Sequence, residues 1–441
     1  MHNEYVKSVF EEVKKNNIGE DEFINEVEET FSSVEKVFDE HKEYEKSGIL
    51  EKLSSPENVV TFKVEWVDDN GNKQINNGYR VQYSSILGPY KGGLRFNKNV
   101  SVSLFKTLSF EQTFKNSLTG FPMGGGKGGS DFDPIGKSEK EIERFCHEFM
   151  KQLYPYIGED KDIPAGDLGV GIKEIGYLYD EYIKHKSDIA ALTGKPLDKG
   201  GLEGRKEATG YGLCYFVEEM LKDHNESLKD KKVLVSGIGN VGSHAIKKAI
   251  ELGAKVIGVS DYTGYVIDEN GVDINAIEKI RDNKLTICEY IKDIPSAKFY
   301  EEPSGLFTNK ADIIMPCATQ NEIDINLAKK IVENGVMMVA EGSNLPSSKE
   351  AIDYFLNHNV LFTPSKASNA GGVSCSYFEI CQNKENSKWT KEKTDEKLKE
   401  TMEKIYHNIS ECAKRYNEPN NLLLGANIWA FERLVNAYNN H

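Results

Sequence analysis

The second half of the chain runs from an apolar pentad, Lys232-Val-Leu-Val-Ser236, straight into Gly237-Ile-Gly239-Asn240-Val241-Gly242, and on into a helical pattern through Leu252. That order constrains the fold more than any other feature. A strand, a turn with glycines at those three places and a helix let a backbone approach a pyrophosphate closely, with the phosphates seated on the helix N-terminus. Further short apolar runs, Lys255–Ser260, Ile313-Ile-Met-Pro, Val336–Ala340 and Val360-Leu-Phe-Thr, alternate with helical stretches. Strands and helices in alternation predict βαβ units in a parallel, doubly wound sheet. Asp261 ends the second strand, where an acid meets the adenosine ribose. Polar clusters follow the later strands: Ala318-Thr-Gln320-Asn, Gly342-Ser-Asn344 and Ser368-Asn369-Ala-Gly-Gly372. In a parallel sheet these lie at the carboxyl edge, where ligands bind, and they are expected to take the rest of a dinucleotide. Asp261 suits a free 2′-hydroxyl, as in NAD. Ser260, with Lys279, Arg281 and Lys284 downstream, suits a 2′-phosphate, and NADP is the favoured cofactor.

A length of 441 residues exceeds what one core usually organises, so two domains are expected. The net charge of −15 argues against general nucleic-acid binding and against attraction to anionic membranes. No apolar run reaches membrane-span length, and MHNEYVKSVFEEVKK lacks a signal-peptide core, so a cytoplasmic location is expected. The 7 cysteines are scattered without CxxC spacing and read as reduced thiols, with no metal cluster. Residues 3 to 50 are predicted helical, with Phe23, Val27, Phe31, Val34 and Phe38 in one stripe. Val60, Phe62, Val64 and Trp66 alternate with polar residues ahead of an Asn70-Gly71 turn, which predicts a hairpin. Helices are expected over 137–153, 172–183 and 391–415, and the apolar stretch 422–434 must be buried. The polar, glycine-rich Thr193–Gly201 reads as a domain boundary.

Between these elements lies Met123-Gly-Gly-Gly-Lys127-Gly-Gly, read as a loop that brings backbone and ammonium close to a ligand where side chains would clash. Lys91 in Gly88-Pro-Tyr-Lys-Gly-Gly and Lys115 in Glu111-Gln-Thr-Phe-Lys lie in the same stretch. Three lysines facing one cleft would make an anion receptor, and two of them suit a ligand with two carboxylates. Asp167, in Ala165-Gly-Asp-Leu-Gly169, supplies an acid/base partner.

The motifs GPYKGGLRF, FEQTFKNSLTGFPMGGGKGGSDF, DIPAGDLGVG, EATGYG, GIGNVG, MPCATQNE, EGSNLP and PSKASNAGGVSCSYFE stand in this order along the chain. By them the chain resembles the small hexameric glutamate dehydrogenases throughout its length. The resemblance implies that Lys91 and Ser376 bind the distal carboxylate and that Lys115, with Gln112, holds the α-carboxylate. It implies that Lys127 is the catalytic lysine and that Asp167 handles protons on nitrogen. Thr209, Gly237, Gly239, Asn240, Val241, Gly242, Ser260, Asp261, Gln320, Asn344 and Asn369 would meet the cofactor, the last two near the nicotinamide and substrate. The implied fold has two α/β domains: a Rossmann-like, doubly wound cofactor domain over 201–416, and a mixed-sheet substrate and oligomerisation domain over 1–200 plus 417–441. The implied cleft lies between them and closes by a hinge during reversible oxidative deamination of glutamate to 2-oxoglutarate and ammonium. A homohexamer, active in nitrogen assimilation and binding neither nucleic acid nor membrane, is implied as well.

The chain departs from the family where an Arg-Pro commonly precedes EATGYG, since it has Gly204-Arg205-Lys206, and where Asp261-Tyr262-Thr263 replaces a Ser-rich sequence. Dehydrogenases of branched-chain or aromatic amino acids share the lysine and the aspartate but line the side-chain pocket with apolar groups. Lys91 with Ser376 argues for a charged substrate side chain instead. A catalytically silent homologue would have lost Lys127 or Asp167, and both are present.

Overall fold

The computed structural model describes residues 1–440. They form two compact units: one of residues 1–203, 375–394 and 427 onward, the other of 204–374 and 395–426. The sequence puts its boundaries at 200 and 417; the units divide at 203/204, 374/375, 394/395 and 426/427, so residues 375–394 join the first unit.

The first unit is built on a five-stranded sheet of β1 (Asn58–Val67), β2 (Lys73–Ser84), β3 (Tyr90–Phe96), β4 (Gly125–Ser130) and β5 (Asp162–Gly166), in the order β1-β2-β4-β3-β5. The hairpin β1–β2 and the pair β2–β4 are antiparallel, whereas β3 pairs parallel with both β4 and β5. One face buries an aromatic core of Trp66, Phe96, Phe132, Phe145 and Phe149 beneath the helices Glu139–Leu153 and Ile172–Tyr182. Ser138 starts the first of these helices with a capping box to Glu141, which satisfies the exposed amides at its end. Elsewhere the helix Val102–Leu118 packs on β2 and β4, backed by the helix Asp21–Glu40. The apolar 422–434 segment is buried as expected: Phe431 meets Phe38, and the Ala430 carbonyl accepts a bond from Ser117 Oγ.

One segment read as a loop, and a second that shows no strand pattern, are strands. The Met123–Gly129 stretch contains β4, an interior strand, and Asp162–Gly166 is β5. Glycine and proline mask a strand pattern, yet each has a reason here. Pro164 sits in β5 at the sheet edge, where a missing N–H is tolerated. A Cβ on Gly92 would lie 1.7 Å from the Gly126 carbonyl, and one on Gly125 1.9 Å from Thr113 Oγ1 of the covering helix. The glycines therefore let β3, β4 and the helix approach more closely than any side chain allows.

The second unit holds a seven-stranded sheet of β6 (Lys232–Ser236), β7 (Lys255–Asp261), β8 (Gly264–Ile267), β9 (Lys298–Tyr300), β10 (Ile313–Pro316), β11 (Met338–Ala340) and β12 (Leu361–Thr363). Its order is β12-β11-β10-β6-β7-β8-β9. The five strands expected from sequence are parallel and doubly wound about β6. The antiparallel extension β8–β9 was not expected; both strands are too short to stand out as apolar runs. Leu234, Ile257, Ile314, Val339 and Phe362 bury one face of the sheet.

Candidate active site

In the first unit, β3, β4 and the end of β5 gather the charged residues. Residues two apart on a strand share a face, so Lys91, Gly93 and Arg95 alternate onto one side of β3. Gly93 keeps that side open: a Cβ there would lie 2.7 Å from Asp167 Cβ and 3.3 Å from Lys127 Nζ. Lys127 projects from β4 and reaches 3.6 Å from Asp167 Oδ2. Arg95 Nε donates to the same oxygen at 2.8 Å. Burial pushes the Asp167 carboxyl up, but the charges of Lys127 and Arg95, then the hydrogen bonds from Arg95 and the Leu168 amide, bring it below the ordinary aspartate value. The result is an anionic carboxylate, 24 % exposed, fixed between two cations.

Lys91 is 2 % exposed, which places its ammonium in a dry setting. Gln112, Thr113 and Lys115 lie together on the helix Val102–Leu118, and Gln112 Nε2 donates to Asn116 Oδ1 at 2.7 Å. Asn116 is a residue that sequence reasoning missed. Its Nδ2 donates to the Lys91 carbonyl at 3.0 Å and to the Gly124 carbonyl at 2.5 Å, pinning the lysine strand to the start of the glycine strand. Behind these residues, Arg80 forms a fully buried ion pair with Asp162, whose other oxygen also takes a bond from Gln82 Nε2 at 2.9 Å. The pair ties β2 to β5 and so fixes the strand that leads into Asp167. Ser376 is buried in the helix Gly371–Lys384. One turn on, Glu379 pairs with Lys195 at 3.0 Å and accepts from the Gly194 amide, anchoring that helix to the Thr193–Gly201 stretch.

The second unit carries the nucleotide motif in the expected place. Gly237 turns at φ +78°, and a Cβ on Gly242 would strike the Gly237 carbonyl at 1.8 Å. A Cβ on Gly239 would meet open space. The helix Asn240–Glu251 begins at Gly239 with no side-chain cap, so the amides of its first turn, including those of Asn240 and Val241, suit an anionic group. These residues fit a dinucleotide pyrophosphate. Asn240 is held by its own bond to the Lys206 carbonyl at 2.9 Å. Thr209 Oγ1 lies 2.8 Å from where a Cβ on Gly372 would stand, so that glycine keeps the hydroxyl accessible within the turn.

The ribose end is less open than the sequence implied. Ser260 is buried. Asp261 Oδ1 accepts from the amide and hydroxyl of Thr263 at 2.7 and 2.6 Å, and Oδ2 from the Ile287 amide at 2.6 Å. Of the downstream cations, Lys279 is taken up by Asp293 at 2.6 Å, and Lys284 is solvent-exposed. Arg281 pairs with Asp282 through Nε at 2.9 Å, and its Nη1 donates to Ser243 Oγ at 2.9 Å, one turn into the helix that follows the glycine turn. Gln320 and Asn344 are exposed on loops after β10 and β11, and Asn369 Nδ2 donates to Asn344 Oδ1 at 2.8 Å.

A Rossmann-like unit with an anion-ready glycine turn, together with a unit holding a lysine–aspartate pair and a buried lysine, defines a nucleotide-dependent dehydrogenase of amino acids. The chain belongs to the Glutamate/Leucine/Phenylalanine/Valine dehydrogenase family, which residues 200–441 match, while residues 56–184 match the family's dimerisation domain. It is 47% identical over 436 residues to the NAD(P)-specific glutamate dehydrogenase of Xylanibacter ruminicola, covering 97% of each chain. Identity to the NAD-specific glutamate dehydrogenase of Clostridium symbiosum is also 47%, over 98% of each. The crystal structure of Plasmodium falciparum glutamate dehydrogenase superposes with a TM-score of 0.94 at 45% identity, covering 99% of this chain and 94% of that one.

Proposed function

We propose that the protein is an NAD(P)-dependent glutamate dehydrogenase. The observation that carries this reading is the pairing of Lys127 with Asp167 on the face of β3 and β4 that also bears the buried Lys91. The reaction is L-glutamate + NAD(P)+ + water ⇌ 2-oxoglutarate + ammonium + NAD(P)H + H+.

Lys91 and Ser376 take the distal carboxylate, and Lys115 with Gln112 takes the α-carboxylate. Buried ammonium groups are worth most against carboxylates in such a dry setting: a pair near 4 Å gains about 4 kcal/mol at an effective dielectric near 20, before desolvation. The dinucleotide, held by Gly237–Gly242 and the first-turn amides of the following helix, supplies the hydride acceptor. Lys127 polarises the α-carbonyl oxygen and activates the water that adds to the iminium carbon. Asp167, kept anionic by its two cations, takes and returns protons on nitrogen. Its hydrogen bond to Arg95 fixes the carboxylate orientation.

NADP is the favoured cofactor on the strength of Arg281 beside the helix that follows the glycine turn and of Asp261, whose oxygens are engaged by Thr263 and Ile287. Assembly as a homohexamer and a cytoplasmic role in nitrogen assimilation belong to the same reading, supported by the family resemblance.

Absorbance at 340 nm with 2-oxoglutarate, ammonium and reduced cofactor tests it. Lys127→Ala and Asp167→Asn are each expected to lower kcat by about 10²–10⁴ while reduced cofactor still binds. Near-normal turnover in either variant overturns the assigned roles.

A further inference from the structure

We propose that Glu341 is a positioning residue for cofactor binding, clamping together the loops that carry Asn344 and Asn369; the inference rests on the dinucleotide reading of the second unit. Glu341 directly follows β11 and is 1 % exposed, so its carboxylate acts on a ligand only through other groups. One oxygen accepts from the Ser347 amide at 3.2 Å, beyond Asn344, and the other from the Ser365 amide at 3.0 Å, ahead of Asn369. The same residue's backbone ties down the second loop again: its N–H donates to Thr363 Oγ1 at 3.1 Å, and its carbonyl accepts from Ser368 Oγ at 2.5 Å. Ser365 Oγ closes the circuit by accepting from the Leu345 amide at 3.3 Å.

The clamp holds a backbone that would not hold itself. Leu345 sits at φ +46°, a left-handed conformation that a side chain disfavours and that persists only where the surroundings impose it. The carbonyls of Leu345 and Pro346 then accept from the amides of Asn321 and Ile323 at 3.0 and 2.8 Å, which brings the Gln320 loop into the same network. Thus one buried carboxylate sets the register of three polar clusters at the carboxyl edge of the sheet. Its outcome is the 2.8 Å bond from Asn369 Nδ2 to Asn344 Oδ1. Burial pushes the Glu341 carboxyl up to about 7 against the pull of these hydrogen bonds.

Initial rates and direct cofactor binding on Glu341→Gln, Glu341→Ala and Ser365→Ala test the proposal. Loss of a hydrogen bond to a charged group corresponds to about a tenfold change in an equilibrium. Glu341→Ala is expected to raise the reduced-cofactor Kd and KM about tenfold or more, Glu341→Gln less, and Ser365→Ala by a few-fold, with the 2-oxoglutarate KM unchanged. Cofactor affinity that stays at the wild-type value in a cooperatively melting variant overturns it. So does a parallel rise in both KM values, the mark of general loosening. Should Glu341→Ala not fold, Glu341→Gln and Ser365→Ala decide between these outcomes. A wild-type protein that neither binds NAD(P)H nor reduces 2-oxoglutarate contradicts the functional reading instead, before any variant is compared.

Discussion

Asp167 shows how a single group is tuned by its neighbours. Burial by itself would favour its neutral form, and two cations on adjacent strands reverse that preference. Because its folded value is depressed, the pairing stabilises the fold at neutral pH, and this contribution is lost only as pH falls through the depressed value. Arg95→Gln removes one of the two cations and its hydrogen bond. The acid limb of the kcat/KM profile is expected to move to higher pH in this variant, since that limb reports the free enzyme. An unmoved limb would mean that Arg95 does not set the protonation of Asp167. The sequence announced Lys127 and Asp167 by their glycine settings, yet it held no sign of Arg95 or Asn116. Their roles come from the register of β3 against β4 and β5 and from one helix lying on a strand. Neither relation leaves a local pattern. Asp261 illustrates the converse: its position at the end of β7 was plain, but the bonds it receives from Thr263 and Ile287 depend on a turn and a distant loop.

At the scale of elements, the glycine strand is the decisive structure. Alternation and β-branched residues reveal strands such as Val60–Trp66 and Lys232–Ser236, and helices are legible from stripes and caps. Strands β3, β4 and β5 are instead interrupted by glycine, lysine or proline, and at Gly92 and Gly125 the backbones lie closer together than side chains permit. Local propensity thus points away from a strand where tertiary packing requires one. Gly92→Ala places a methyl group 1.7 Å from the Gly126 carbonyl. Overpacking of this kind costs about 1–3 kcal/mol and often more. Urea unfolding is expected to show at least that loss, together with a loss of activity, as β3 and β4 are forced apart. By contrast Gly136→Ala, at φ +78° with no neighbour near its Cβ, is expected to cost about 1 kcal/mol and leave turnover intact. Equal effects of the two substitutions would contradict the packing argument.

At the scale of the whole molecule, the chain divides its work between two units with different sheets. The parallel sheet was legible because its strands are buried on both faces and read as apolar runs. The mixed sheet was not, apart from its hairpin. Cofactor choice belongs to this scale, since in the proposed reading it draws on the turn after β6, the end of β7 and the cation-bearing helix Ile274–Asp282. Arg281→Ala is expected to raise the KM for NADPH several-fold and leave that for NADH unchanged, in paired initial-rate series. Equal changes with both cofactors would remove Arg281 from recognition of the 2′-phosphate.

In the proposed glutamate dehydrogenase, the buried Lys91 selects acidic substrates. The most direct measurement is kcat/KM for 2-oxoglutarate against the 2-oxo acids of leucine and phenylalanine, with ammonium and reduced cofactor held constant. A site built to pair a substrate carboxylate rejects analogues that lack one, so 2-oxoglutarate is predicted to be preferred by about 10³-fold or more. A branched-chain or aromatic 2-oxo acid turning over faster than 2-oxoglutarate would contradict it.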